Sequence, residues 1–82
     1  MVSETQKFSI ESERSIAIKN CLRSVTAALK EKGYDPVSQI VGYIMSGDPT
    51  YITSYNEART AIKKFDRDEL LEEFISSYIN RL

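Results

Sequence analysis

Twice in the middle of this chain a glycine is followed closely by an Asp-Pro pair, in Gly33-Tyr34-Asp35-Pro36 and again in Gly47-Asp48-Pro49. Glycine takes the left-handed backbone that a helix needs just past its end. Asp is a good N-cap, and proline is preset for the first helical position. Each device stops one helix and starts another within a few residues. The chain is thereby committed to short helices joined at sharp corners.

The segments on either side agree. Ile18, Leu22, Val25 and Leu29 form one stripe at helical spacing, widened by Cys21 and Ala28. They predict a helix from about Arg14 to Lys32, with Tyr34 folding back onto Leu29 after the Gly33 stop. Val37, Ile40, Val41, Ile44 and Met45 make the next helix, about Pro36 to Ser46, apolar over much of its circumference. That predicts a central element. Gly42 within it costs about 1 kcal/mol relative to alanine, which suggests close approach of another helix. Thr50-Tyr51-Ile52 allows a single turn. Ser54-Tyr55-Asn56-Glu57 and Asp66-Arg67-Asp68-Glu69 both match capping boxes. They predict one helix reaching about Phe65, with Ala58, Ala61, Ile62 and Phe65 inward, and a last helix from about Arg67 to Asn80. In that last helix Leu70, Leu71, Phe74, Ile75, Tyr78, Ile79 and Leu82 recur at steps of one and three, giving two adjacent apolar stripes. One stripe suits the chain's own core and the other a partner subunit.

The fold class is therefore all-α, a compact bundle of four to five short helices over residues 13–82. Residues 1–12 are polar and lack a strong apolar face, so they read as a flexible tail. A chain of 82 residues buries only roughly 60–65% of the surface its unfolded form exposes, so such a domain gains from disulfides, a metal or a second subunit. Cys21 is the only cysteine and there is no histidine, which excludes an internal disulfide and argues against structural zinc. A homodimer is the remaining support.

The same inventory removes most chemistry. Without histidine there is no Ser-His or Cys-His nucleophile pair. Glu69, Glu72 and Glu73 read as a solvated, dipole-matched helix start rather than as catalytic carboxylates. Gly47-Asp48-Pro49 lacks the spacing and the Lys-Ser/Thr of a phosphate loop. A formal charge of -1 argues against general nucleic-acid affinity, and the helix after Asp35-Pro36 has no basic side chain to read bases with. No apolar run approaches the roughly 20 residues that span a bilayer. The N-terminus lacks the apolar core of a signal peptide, which places the expected compartment in the cytoplasm. No cofactor or metal is expected. One charged group stands out: Arg59, Lys63, Lys64 and Arg67 gather near a helix end. They form either a solvated face or a contact for an acidic partner or a phosphate.

The run Glu31-Lys32-Gly33-Tyr34-Asp35-Pro36-Val37-Ser38-Gln39-Ile40-Val41-Gly42-Tyr43, followed by Ser46-Gly47-Asp48-Pro49-Thr50-Tyr51-Ile52, resembles the IreB (ReoM) family of small regulators from Gram-positive bacteria. Ala58-Arg59, Ile62-Lys63-Lys64 and Arg67-Asp68-Glu69-Leu70 continue the likeness, which covers about Ala28 to Ile79. The resemblance implies an all-helical homodimer with an N-terminal regulatory tail. It implies a substrate of a PASTA-domain Ser/Thr kinase, reversed by a PP2C-type phosphatase and acting in cell-envelope control. In some members the unphosphorylated form promotes degradation of a peptidoglycan-precursor enzyme, the UDP-N-acetylglucosamine carboxyvinyltransferase, by a Clp protease. The family's phosphoacceptor is a tail threonine. Glu4-Thr5-Gln6-Lys7-Phe8 matches that pattern, and Thr5 is the only threonine before Thr26. Some members carry a second acceptor just upstream, where this chain has Ser3. Relatives often have proline where Thr53 stands.

Phosphate on Thr5 adds about -1.5 to -2 charges to a tail whose only cation up to Ser12 is Lys7. Either the tail then docks on a basic patch such as Arg59, Lys63 and Lys64, or it repels an acidic partner directly. The competing class is a constitutive adaptor dimer with no phosphorylation switch.

Overall fold

The structure, a computed structural model, describes residues 12–82. Four α-helices follow one another: α1 (Glu13–Glu31), α2 (Pro36–Ser46), α3 (Ala58–Ile62) and α4 (Arg67–Asn80). Two single 3-10 turns, Pro49–Tyr51 and Tyr55–Glu57, link α2 to α3. No strand occurs among the described residues.

The corners form as their residues dictate. Ser12 caps α1, its hydroxyl accepting the Ser15 N–H at 3.0 Å. At the other end Gly33 takes a φ of +86°, which frees the Gly33 N–H to donate to the Lys30 carbonyl and the Tyr34 N–H to donate to the Leu29 carbonyl. That reciprocal pair satisfies carbonyls the helix would otherwise leave open. Asp35 then caps α2 by accepting the Ser38 N–H at 3.0 Å and the Ser38 hydroxyl at 2.7 Å. Asp48 repeats the pattern on Thr50, at 3.0 and 2.7 Å. Both aspartates are held below the usual carboxylate range by these hydrogen bonds, the side-chain hydroxyl first.

The core runs along α1. Val25 and Leu29 are fully buried with Ile52, Ala58, Ile62 and Leu70, and Ile18, Cys21, Ala28 and Tyr43 close the cluster. Leu22, Ile40, Phe65 and Phe74 pack against it. Cys21 is a small buried hydrophobe, and burial pushes its thiol up.

Three expectations need correction. First, α2 is not central. Only Tyr43 is buried, while Val37, Val41 and Met45 are 54–78% exposed. Its apolar circumference exceeds what one small core can cover. Second, what crowds Gly42 is a ring from the short 3-10 turn and not the backbone of a crossing α-helix. A Cβ there would lie 2.4 Å from the Tyr51 ring, so the glycine makes room for an aromatic side chain from the following turn. Gln39 Nε2 reinforces this by donating to the Tyr51 carbonyl at 2.9 Å.

Third, Ser54 and Glu57 form no capping box. Ser54 sits in helical rather than extended backbone, and Asn56 and Glu57 both take left-handed conformations with φ of +52° and +60°. The reach-back of Glu57 is lost, and α3 is held instead by its own Arg59. The Arg59 N–H donates to the Thr53 carbonyl at 3.1 Å and its Nε to the Ile52 carbonyl at 2.8 Å. The helix ends at Ile62, short of Phe65. The capping box at Asp66 does form, with the Asp66 N–H donating to Glu69 Oε1 at 3.0 Å.

Candidate functional site

The basic group near the α3–α4 corner divides in two. Arg59 is half-buried and anchored on the Ile52 carbonyl, and Arg67 donates to the Ile44 carbonyl at 2.9 Å with its guanidinium over Gly47. Both arginines hold backbone together. Lys63 and Lys64 are exposed and make no ion pair among the described residues. Of the expected patch, then, only the two lysines present open charge, with Arg59 one helical turn away. The following residue, Phe65, lies 4.7 Å beneath the Arg14 guanidinium, so this corner abuts the beginning of α1. Thr5 and Ser3 lie outside the described residues.

A polar seam joins α1 to α4 where the sequence suggests only solvated carboxylates. Arg14 donates through two nitrogens to the two oxygens of Glu69, both at 2.8 Å. Ser15 donates to Glu73 at 2.9 Å, and Lys19 lies 3.8 Å from the same carboxylate. Arg14 first, and the Asp66 N–H second, pull the Glu69 carboxyl down to about 2. One carboxylate thus closes the start of α4 and ties it to α1. The signal was present as two matching spacings, Arg14/Ser15/Lys19 on one helix and Glu69/Glu73 on the other. Nothing in a single sequence says which helices lie side by side.

The pairings show α1 and α4 running in the same direction, because residues 14–19 meet 69–73 and residues 22–26 face 77–81. Beyond the polar seam the helices enclose an open groove of about 850 Å³. Leu22 and Phe74 line it with Arg23, Thr26 and Arg81, and Lys19 and Glu73 stand at its near end. A second, mainly apolar depression of about 520 Å³ lies between α1 and α2, with Ile40, Val41 and Phe74 in its wall.

The outer stripe of α4 is left bare. Leu71, Ile75, Tyr78 and Ile79 are each 43–58% exposed, and Leu82 just past the helix is 85% exposed, whereas Leu70 is fully buried. Together with Val37, Val41 and Met45 on α2 this is far more exposed apolar side chain than scattered surface residues account for. No described helix is long and apolar enough to cross a membrane.

The described residues thus form a small helical domain with an uncovered apolar face and an open basic corner. Comparison with known proteins specifies the class. Residues 3–80 match the model of a family described as the IreB regulatory phosphoprotein. Curated relatives named UPF0297 protein agree: one from Ruminiclostridium cellulolyticum is 51% identical over 78 residues, covering 95% of this chain and 89% of its own. One from Acetivibrio thermocellus is 54% identical over 77 residues, 94% of this chain and 86% of its own. Another, from Lachnoclostridium phytofermentans, is 52% identical over 79 residues, 96% and 90% of the two chains. The chain belongs to the IreB family, and a regulatory role follows from that membership.

Proposed function

We propose that this protein is a non-enzymatic regulator of cell-envelope homeostasis, in which phosphorylation of Thr5 controls the binding of a partner protein. The observation that carries the reading is the family match, which begins at residue 3 and so takes in Thr5. The kinase is a PASTA-domain Ser/Thr kinase and the opposing enzyme a PP2C-type phosphatase, both acting on the tail in the cytoplasm. The partner side comprises a peptidoglycan-precursor enzyme and a Clp protease system.

The working form is a homodimer. The bare stripe of α4 supports this, since a second copy offers an apolar face of the same kind. Lys63 and Lys64, with Arg59 beside them, are the contact for an acidic surface of the partner. A phosphate brings about -1.5 to -2 charges and strong acceptor oxygens, enough to compete for such a contact or to oppose it.

The test is intact-mass and peptide-mapping analysis of the protein from cells with and without the kinase, followed by partner pull-down with wild type and Thr5→Ala. Kinase-dependent modification at Thr5, with partner capture that changes for wild type and stays constant for Thr5→Ala, is the expected result. Equal capture of both proteins in all conditions would leave a constitutive adaptor. Charge reversal at Lys63 and Lys64 should abolish capture; unchanged binding in both phosphorylation states would remove that corner from the mechanism.

A further inference from the structure

We propose that the phosphorylated tail docks on its own domain, in the groove between α1 and the C-terminal half of α4, with Phe8 against Leu22 and Phe74 and the phosphate between Arg23 and Arg81. The proposal rests on the reading that Thr5 is phosphorylated and specifies where the modified tail goes.

The described chain begins at Ser12, at the head of α1. Phe8 stands four residues earlier and can extend about 14 Å from that point; Thr5 can extend about 24 Å. Along α1, Leu22 lies about 15 Å from Ser12 and Arg23 about 17 Å. Fully extended back along the helix, the Phe8 backbone comes within about 1 Å of the level of Leu22, close enough for its ring to reach, and Thr5 has length to spare to settle beside the cations.

Lys19, Arg23 and Arg81 line the groove against one carboxylate, Glu73, which already accepts from Ser15 and lies beside Lys19. Arg23 donates to Asn20 of its own helix at 2.9 Å, an exposed contact that phosphate oxygens outcompete. The tail carries a matching pattern: Glu4 and phosphothreonine at one end, Phe8 and Ile10 toward the other. The second copy invoked above is a poorer occupant. The α4 stripe it would present has no anion for Arg23 or Arg81. Of that stripe Tyr78 alone reaches the groove wall, while Ile75 and Ile79 project about 100° and 140° around the helix from Phe74. The lysine corner has open charge but no comparable apolar floor among the grooves of the described residues.

The experiment uses the full chain, isotope-labelled, with phosphothreonine genetically encoded at position 5 and its occupancy checked by intact mass. Backbone amide shifts are compared with those of the unmodified chain. Phosphate should move the amides of Leu22, Arg23, Thr26, Ser77 and Arg81, and the shifts should persist on dilution. Arg23→Gln with Arg81→Gln, both at exposed positions, should abolish them while leaving the rest of the spectrum intact. Phe8→Ala should reduce them. Shifts confined to the tail, shifts centred on Lys63 and Lys64, or groove shifts that follow protein concentration instead of phosphate would each overturn the proposal, the last by assigning the groove to a second copy. Because the phosphate is encoded, failure of the kinase to modify Thr5 in cells counts against the regulatory reading and leaves this docking test standing.

Discussion

Gly42 shows how one missing side chain can organise a corner. In an exposed helix, alanine would be better by about 1 kcal/mol. Here the added methyl meets the Tyr51 ring at 2.4–2.8 Å, and overpacking of that kind costs about 1–3 kcal/mol. Gly42→Ala is therefore expected to destabilise the fold by about 1 kcal/mol net, read by chemical denaturation. Combining it with Tyr51→Ala should restore the ordinary helix preference, so that alanine at 42 becomes favourable in that background. A stabilising Gly42→Ala in the wild-type chain would show that the ring is free to swing away. The sequence marks Gly42 as unusual through its helical cost but not what fills the space, because a ring from a following turn and a crossing helix demand the same vacancy.

At the scale of elements, the joints were more legible than the surfaces between them. Asp35-Pro36 and Asp48-Pro49 act locally, and their caps follow from chemistry within four residues. Ser54-Tyr55-Asn56-Glu57 has equally good local chemistry and fails, because Arg59 anchors on the Ile52 carbonyl and residues 56 and 57 turn left-handed. The α1–α4 seam lay beyond reading for a related reason: Arg14 and Glu69 are 55 residues apart. That seam makes stability pH-dependent in a definite sense. The folded-state pKa of Glu69 is depressed to about 2, below the roughly 4.3 of an unfolded chain. Its contribution is present in full above the unfolded value and is lost as pH falls from there through the folded value. Thermal melts of wild type and Glu69→Gln should differ most above about pH 5 and converge near pH 2. A difference that stays constant across this range would show that the Arg14 pairing is not what Glu69 contributes.

For the whole molecule, periodicity exposed two stripes on α4 but not their allocation. The structure resolves that much: Leu70 and Phe74 serve the core, and Ile75 and Ile79 do not. The same distinction explains α2, whose hydropathy reports total burial wanted, with no direction attached. The proposed homodimer predicts that the chain sediments as a dimer and that Ile75→Glu with Ile79→Glu sediments as a helical monomer. A wild-type chain that remains monomeric at the highest soluble concentration would remove the dimer.

In the proposed homodimer the bare side of α4 would also tie the fate of this protein to its dosage. A fold completed by its twin gains stability with the logarithm of its own concentration, so each tenfold fall in abundance removes about 1.4 kcal/mol of that support. At low abundance that dimer would give way to the less stable monomer, so the rate of expression would act on the proposed switch beside phosphorylation.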